Sequence, residues 1–209
     1  MNDGFLLKKS LGQRILEVAY DSIYPCKCLF CGRVLEDLGA IACGDCAQLC
    51  HGDYDVEAVQ HTVFRFKYEG KRMLARRMAA AIFRRDEVID GDCLVCVPLH
   101  EGRLRERGYN QAALLALELS RFMGVAAYDG LVRTRATAKQ FDLNPAQRVA
   151  NVAGAFAVRD GFCVDGKRVV LVDDVFTTGA TVGECERVLM EAGAVGVEVV
   201  TFAAVRAYG

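Results

Sequence analysis

Residues 169–181 read VVLVDDVFTTGAT. Four apolar residues lead to Asp173 and Asp174, and after Val175 and Phe176 the chain breaks into Thr177, Thr178, Gly179, Ala180 and Thr181. A continuous run of this kind predicts a strand buried on both faces. Such a strand needs no carboxylates at its tip, so the acids and the loop after them hold something. The following TVGECERVLMEAGA predicts a helix, which places the Thr-Gly-Ala-Thr turn at a helix N-terminus. Successive backbone N–H groups there attract an anion, aided by the helix dipole and the threonine hydroxyls. Gly179 lets the backbone approach closely. Carboxylates beside that cradle repel an anion unless they serve sugar hydroxyls or a magnesium ion, and a sugar phosphate with free hydroxyls satisfies both halves. The stretch contains neither Gly-x-Gly-x-x-Gly nor Gly-Lys-Thr, so the glycine-rich nucleotide loops do not fit.

Outward from this stretch the chain alternates. HTVFRFKY (61–68) reads as a strand and GKRMLARRMAAAIFRR (70–85) as a helix with Met73, Leu74, Met78, Ala81 and Ile82 near one face. CLVCVPL (93–99) reads as a strand whose Cys93 and Cys96 belong to the core, and YNQAALLALELSRFM (109–123) as a helix. A further strand is expected within 125–133, a long polar segment over 134–154 with a short helix after Pro145, and a last strand in GVEVVTFAAV (196–205). Alternation of strands and helices predicts an α/β fold, a parallel sheet flanked by helices, with ligands at the carboxyl ends of the strands.

Six of the ten cysteines fall between positions 26 and 50. Cys28 with Cys31 and Cys43 with Cys46 form two Cys-x-x-Cys pairs, and two such knuckles supply the four soft ligands of tetrahedral zinc. Cys26, Cys50 and His51 are alternative ligands. The N-terminal segment carries acids and lacks a compact apolar stretch with a small-residue cleavage site, so it does not read as a signal peptide. A reducing, cytoplasmic setting follows, in which clustered cysteines point to metal rather than disulfides. Leu7, Leu11, Ile15 and Val18 or Ala19 recur at helical spacing and predict a short docking helix.

The opening stretch resembles the ribose-5-phosphate loop of type I phosphoribosyltransferases, which bind phosphoribosyl pyrophosphate (PRPP). A narrower resemblance covers nearly the whole chain. PCKCLFCG with CGDC, VPLHEGRLRERGYNQAALLA, RTRATAKQFDLNPAQRVANVAGAF and VDDVFTTGATVGECERVLMEAGA together resemble the ComF (GntX-like) family. Its members join a zinc ribbon to a phosphoribosyltransferase domain, and some are tied to natural competence. The resemblance implies a ribbon over residues 1–57 and a transferase-like domain over 58–209. It implies that Asp173 and Asp174 bind the ribose hydroxyls and that Thr177, Thr178, Gly179, Ala180 and Thr181 bind the 5-phosphate. Leu99, His100, Arg103, Arg105 and Arg107 correspond to the pyrophosphate loop, whose positive charge suits that group. Arg135, Lys139 and Gln140 lie in the counterpart of the mobile loop that closes over PRPP, and Arg148 and Asn151 match further family positions. Magnesium is expected to accompany PRPP.

A net charge of −1 gives the chain as a whole no bias toward nucleic acid. Residues 60–85 nonetheless hold Arg65, Lys67, Lys71, Arg72, Arg76, Arg77, Arg84 and Arg85 against the single acid Glu69, a local stripe that reads either as a solvated helix face or as a polyanion surface. No apolar run approaches the ~20 residues of a membrane span. The acceptor of a phosphoribosyl transfer is not legible. Purine-base transferases with this motif often carry an Asp base three positions after the acids, where this chain has Thr177, which weakens a purine-salvage reading. Three readings stand: a PRPP-dependent transferase with an unknown acceptor; a PRPP-gated accessory or regulatory protein binding DNA or a protein partner; and a role in handling incoming single-stranded DNA, which overlaps both. Single-stranded DNA or competence and DNA-processing proteins are the partners that the family resemblance implies.

Overall fold

A computed structural model of the chain describes residues 6–8, 26–37, 40–49, 56–85, 89–135 and 144–204. The elements are α1 (Gly44–Leu49), α2 (Val56–Tyr68), α3 (Leu74–Arg85), β1 (Cys93–Cys96), α4 (Glu101–Arg107), α5 (Gln111–Met123), β2 (Ala127–Tyr128), β3 (Leu131–Arg133), α6 (Pro145–Val152), β4 (Phe156–Val158), β5 (Arg168–Phe176), α7 (Ala180–Glu191) and β6 (Gly196–Ala204). Four parallel strands run in the order β2-β1-β5-β6, and β3 and β4 form a separate antiparallel pair.

Burial explains the apolar run with which β5 begins. Val169 to Val172 are all buried, which requires cover on both faces of the sheet. Helices α3 and α5 pack against each other and the sheet, while α7 lies on β5 and β6 with α6 and β4 beside it. Cys93 and Cys96 are fully buried core residues. The expected α/β fold, a parallel sheet flanked by helices with a four-cysteine unit toward the N-terminus, is the fold of this chain. Among the described residues no helix is long and apolar enough to cross a membrane.

Local chemistry sets the helix starts. Asn110 caps α5 by accepting from the Ala112 N–H, and its amide donates to the Val97 carbonyl, both at 3.0 Å. The start of α5 is thereby fastened to the end of β1. At α6, Asn144 and Gln147 form a reciprocal capping box around Pro145.

One expectation needs correction, a second needs refinement, and a third lies mostly outside the described residues. Residues 61–68 are helical, not a strand: Val59, Thr62 and Phe66, spaced by three and four, form one buried face. The aromatic alternation Phe64, Phe66, Tyr68 imitates a period of two, yet Phe64 and Tyr68 lie together on the exposed side with ring centroids 5.2 Å apart. The strand expected within 125–133 is split into β2 and β3 around Asp129 and Gly130, where a Cβ on Gly130 would stand 2.1 Å from the Phe162 ring. The N-terminal helix falls mostly on residues outside those described. Leu6, however, pairs antiparallel with Tyr128, and the Leu7 N–H donates to the Ala127 carbonyl at 2.8 Å, so this point extends the sheet edge.

The basic stripe is largely built into the structure. Arg77 donates to the carbonyls of Ala40 and Ile41 at 2.6 and 2.9 Å, and Arg85 to those of Thr201 and Phe202 at 2.8 and 3.2 Å. Arg72 donates to the Gly108 carbonyl and lies over the Tyr109 ring. These side chains staple α3 to its neighbours, which accounts for a cationic run on a half-buried helix.

Candidate functional site

Strands β1 and β5 are neighbours, with Cys96 opposite Val172 and the Val97 N–H donating to the Val172 carbonyl at 3.0 Å. The chain leaves β1 toward β2 on one side and leaves β5 toward β6 on the other. The two connections diverge at the carboxyl ends, which opens a crevice there, the usual ligand position in a sheet of this kind. A cleft of about 200 Å³ occupies that place.

The acids stand at its floor. Asp174 is 7% exposed, and Lys67 Nζ lies 2.9 Å from its Oδ1. Asp173 accepts the Asp174 backbone N–H at 2.8 Å. Burial, and then the neighbouring Asp174 charge, push the Asp173 carboxyl up to about 7, against the opposing pull of Lys67 and of that N–H. A carboxyl raised in the folded state holds its proton where the unfolded chain has lost it. Stability therefore declines as pH rises from about 4 to 7 and stays reduced above that. Asp173→Asn removes the effect: thermal unfolding should show the variant more stable than wild type by up to ~4 kcal/mol at pH 8, with no difference below pH 4. Equal stability at both pH values would mean that Asp173 bears no such strain.

The loop after β5 behaves as a backbone cradle. Gly179 precedes α7 with φ +74°, and no side chain caps that helix start. A Cβ on Gly179 would also stand 2.8 Å from the Phe176 ring, so glycine is required here for two separate reasons. Thr177, Gly179, Ala180 and Thr181 line the cleft, whereas Thr178 does not.

The cleft also has a cationic lining. Arg103 and Arg107 of α4 and Arg133 of β3 line the cleft with Leu99. Burial, followed by the charge of Arg103, lowers the Arg133 pKa, so like charges converge on one space. Buried without an acceptor are Arg107 Nε and Gln111 Nε2, both on residues of this lining. Uncompensated buried donors and mutually repelling guanidiniums suit an anion. The cleft thus has an acidic floor for hydroxyls, a helix N-terminus and an arginine wall.

Other residues read from the sequence stand elsewhere. His100 caps α4, its Nδ1 accepting the Gly102 N–H at 3.1 Å, and Arg105 is exposed beside Glu101. Arg135 donates to the Ala153 carbonyl at 2.7 Å, away from the cleft. Arg148 and Asn151 lie on α6, while Lys139 and Gln140 fall outside the described residues. The motif reading gives no role to Lys67, Gln111 and Arg133, although Gln111 and Arg133 lie inside the stretches that carry the resemblance; the fold brings all three to the cleft, from α2, α5 and β3.

A second centre lies in the N-terminal unit. The Sγ atoms of Cys28, Cys31, Cys43 and Cys46 lie within 4.8 Å of one another, Cys31 and Cys43 being 3.7 Å apart. A tetrahedral zinc with Zn–S bonds of ~2.3 Å needs sulfur separations of ~3.8 Å, so the cluster could hold zinc. Gly32 turns the first knuckle with φ +77°, and the second knuckle opens α1. Burial pushes the Cys28 thiol up, but N–H groups of Cys31, Cys43 and Phe30 outweigh it and bring the thiol down to about 6. Burial and the adjoining thiols raise Cys46 instead. Four thiolates gathered so closely need a cation to ionise together. Cys26 is outside the cluster, and Cys50 and His51 are outside the described residues.

No protein-family model matches the chain. It is 41% identical over 109 residues to DNA utilization protein YhgH of Escherichia coli (strain K12), a match to 52% of this chain and 47%, about half, of that relative's length. Competence protein F of Haemophilus influenzae is 29% identical over 191 residues, covering 81% of this chain and 82% of the relative. Competence protein ComFC of Streptococcus pneumoniae is 26% identical over 202 residues, covering 87% and 88%. These relatives bear out the ComF resemblance read from the motifs. Similar solved structures include a glutamine PRPP amidotransferase from B. subtilis (TM-score 0.41, 26% identity, 60% of this chain and 25% of that one). Another is an adenine phosphoribosyltransferase from Leishmania donovani (TM-score 0.41, 14% identity, 98% and 70%). The fold assignment rests on the sheet itself rather than on these scores.

Proposed function

We propose that this chain, a relative of Competence protein F and ComFC, binds PRPP in the β1–β5 cleft and transfers its phosphoribosyl group to an acceptor within cytosolic DNA uptake or utilization. One observation carries this reading: two carboxylates at the tip of β5 face three converging arginines across an uncapped helix N-terminus. A sugar carrying a phosphate, a pyrophosphate and a free diol answers all three features. Asp173 and Asp174 accept from the ribose hydroxyls, the turn from Thr177 to Thr181 holds the 5-phosphate, and Arg103 and Arg107 face the pyrophosphate. Magnesium enters with the pyrophosphate as part of the substrate, and zinc in the four-cysteine unit is structural.

In the reaction the bond from the anomeric carbon to the pyrophosphate oxygen breaks and the acceptor nucleophile takes its place. Negative charge grows on the departing pyrophosphate, so a guanidinium there stabilises the transition state more than the bound substrate. Arg103→Ala should consequently lower turnover by about 10²–10³-fold, beyond its effect on binding. Pyrophosphate release from PRPP, screened over bases and amines, measures this. The presence of Thr177 where a purine transferase would carry a base favours a second reading, a PRPP-gated accessory protein. Intact PRPP binding with no release for any acceptor would establish that reading in place of the first.

A further inference from the structure

Lys67 belongs to no motif of the cleft, yet the fold holds it there firmly. The residue before it, Phe66, is fully buried, and its carbonyl accepts the Tyr109 hydroxyl. The residue after it, Tyr68, lies beneath Arg107, whose guanidinium is 4.9 Å from the ring centroid and donates to the hydroxyl at 3.1 Å. Anchored on both sides, α2 delivers the Lys67 ammonium to 2.9 Å from Asp174 Oδ1. Two adjacent carboxylates at the end of a strand, Asp174 buried and Asp173 half-buried, repel each other and resist joint ionisation. A diol, however, donates hydrogen bonds and needs carboxylates that accept.

We propose that Lys67 is a positioning residue of this cleft, whose ammonium, in contact with Asp174, favours the accepting form of the two carboxylates that a ribose diol requires. This inference rests on the PRPP reading of the cleft. Among the described residues, the titratable and charged groups that face the acids are Lys67 from α2, Arg103 and Arg107 from α4, Tyr109 from the turn before α5, Arg133 from β3 and Cys185 from α7. The arginines also line the cleft, where an anionic ligand meets them, while Lys67 is in direct contact with Asp174. Tyr109 and Cys185 are both raised by burial and remain neutral near pH 7, so they add no charge.

The test is calorimetric titration of the zinc-loaded protein with magnesium PRPP from pH 6 to 9, for wild type, Lys67→Gln and Lys67→Arg. Lys67→Gln should bind about tenfold more weakly at pH 7, with its binding profile moved up by about one pH unit and affinity approaching wild type at pH 9. Lys67→Arg, which retains the charge, should keep the wild-type profile. An unchanged affinity in Lys67→Gln, or a loss equal at every pH, overturns the inference, since a merely structural role gives no pH-dependent recovery. If thermal unfolding shows that Lys67→Gln does not fold, Lys67→Arg decides: a retained profile supports the inference and a displaced one overturns it. Wild-type protein that binds no PRPP at any pH overturns both this inference and the reading beneath it, an outcome distinct from failure of the lysine alone.

Discussion

Removing metal from the four-cysteine unit is expected to unfold it. Structural zinc in units of this kind contributes on the order of 10 kcal/mol to folding. Among the described residues the unit's buried apolar side chains are Leu29, Phe30 and Leu35 beside the cysteines Cys28 and Cys43, a core small enough to need a staple. The effect should reach α2, because the Thr62 hydroxyl donates to the Leu29 carbonyl at 3.2 Å and Arg77 fastens α3 to Ala40 and Ile41. It should stop before the sheet, where α5 packs on β1 and β5 and α7 packs on β5. Purified protein should contain close to one zinc per chain. After chelation, hydrogen exchange should accelerate over residues 26–49 and partly over α2, with β1 and β5 still protected. A metal-free protein with Cys28 and Cys31 joined as a disulfide would contradict this.

The double variant Asp173→Asn, Asp174→Asn should lose PRPP while keeping its fold. Each charge-assisted hydrogen bond to ribose is worth roughly 1.5–3 kcal/mol, so losing two weakens binding by about two to four orders of magnitude. Neutral side chains also relieve the burial penalty and the repulsion that raise Asp173, so the loss of ligand should come without loss of stability at pH 8. A site optimised for ligand at a cost to the free protein shows that combination. Equilibrium dialysis beside thermal unfolding separates the two effects. Unchanged affinity would place the ligand elsewhere.

The sequence displayed what depends on neighbours along the chain and concealed what depends on approach through space. Strand β5 was legible because cover on both faces demands an unbroken apolar run, and its acids because nothing in a core explains them. The cysteine cluster was legible because two knuckles fix ligand spacing locally. Lys67 was hidden twice over, inside a segment whose aromatic alternation imitates a strand, and as one cation among eight in a stripe. Only the packing of Val59, Thr62 and Phe66 reveals α2 as a helix, and only its clamp onto Arg107 and Tyr109 brings the lysine to Asp174. Arg133 reaches the cleft from β3, paired with β4 some twenty residues further on, a juxtaposition without local signature. The basic stripe misleads for the opposite reason, since Arg77 and Arg85 spend their charge on backbone carbonyls.

The central claim is that the β1–β5 cleft is a PRPP site. Calorimetric titration of zinc-loaded wild-type protein with magnesium PRPP at pH 8, with ribose 5-phosphate as competitor, tests it most directly. One saturable site per chain is predicted, displaced by ribose 5-phosphate because the diol and the 5-phosphate are shared, and weaker than PRPP because the arginine wall is left unfilled. No saturable binding, or PRPP binding that ribose 5-phosphate fails to displace even at high excess, would contradict the claim.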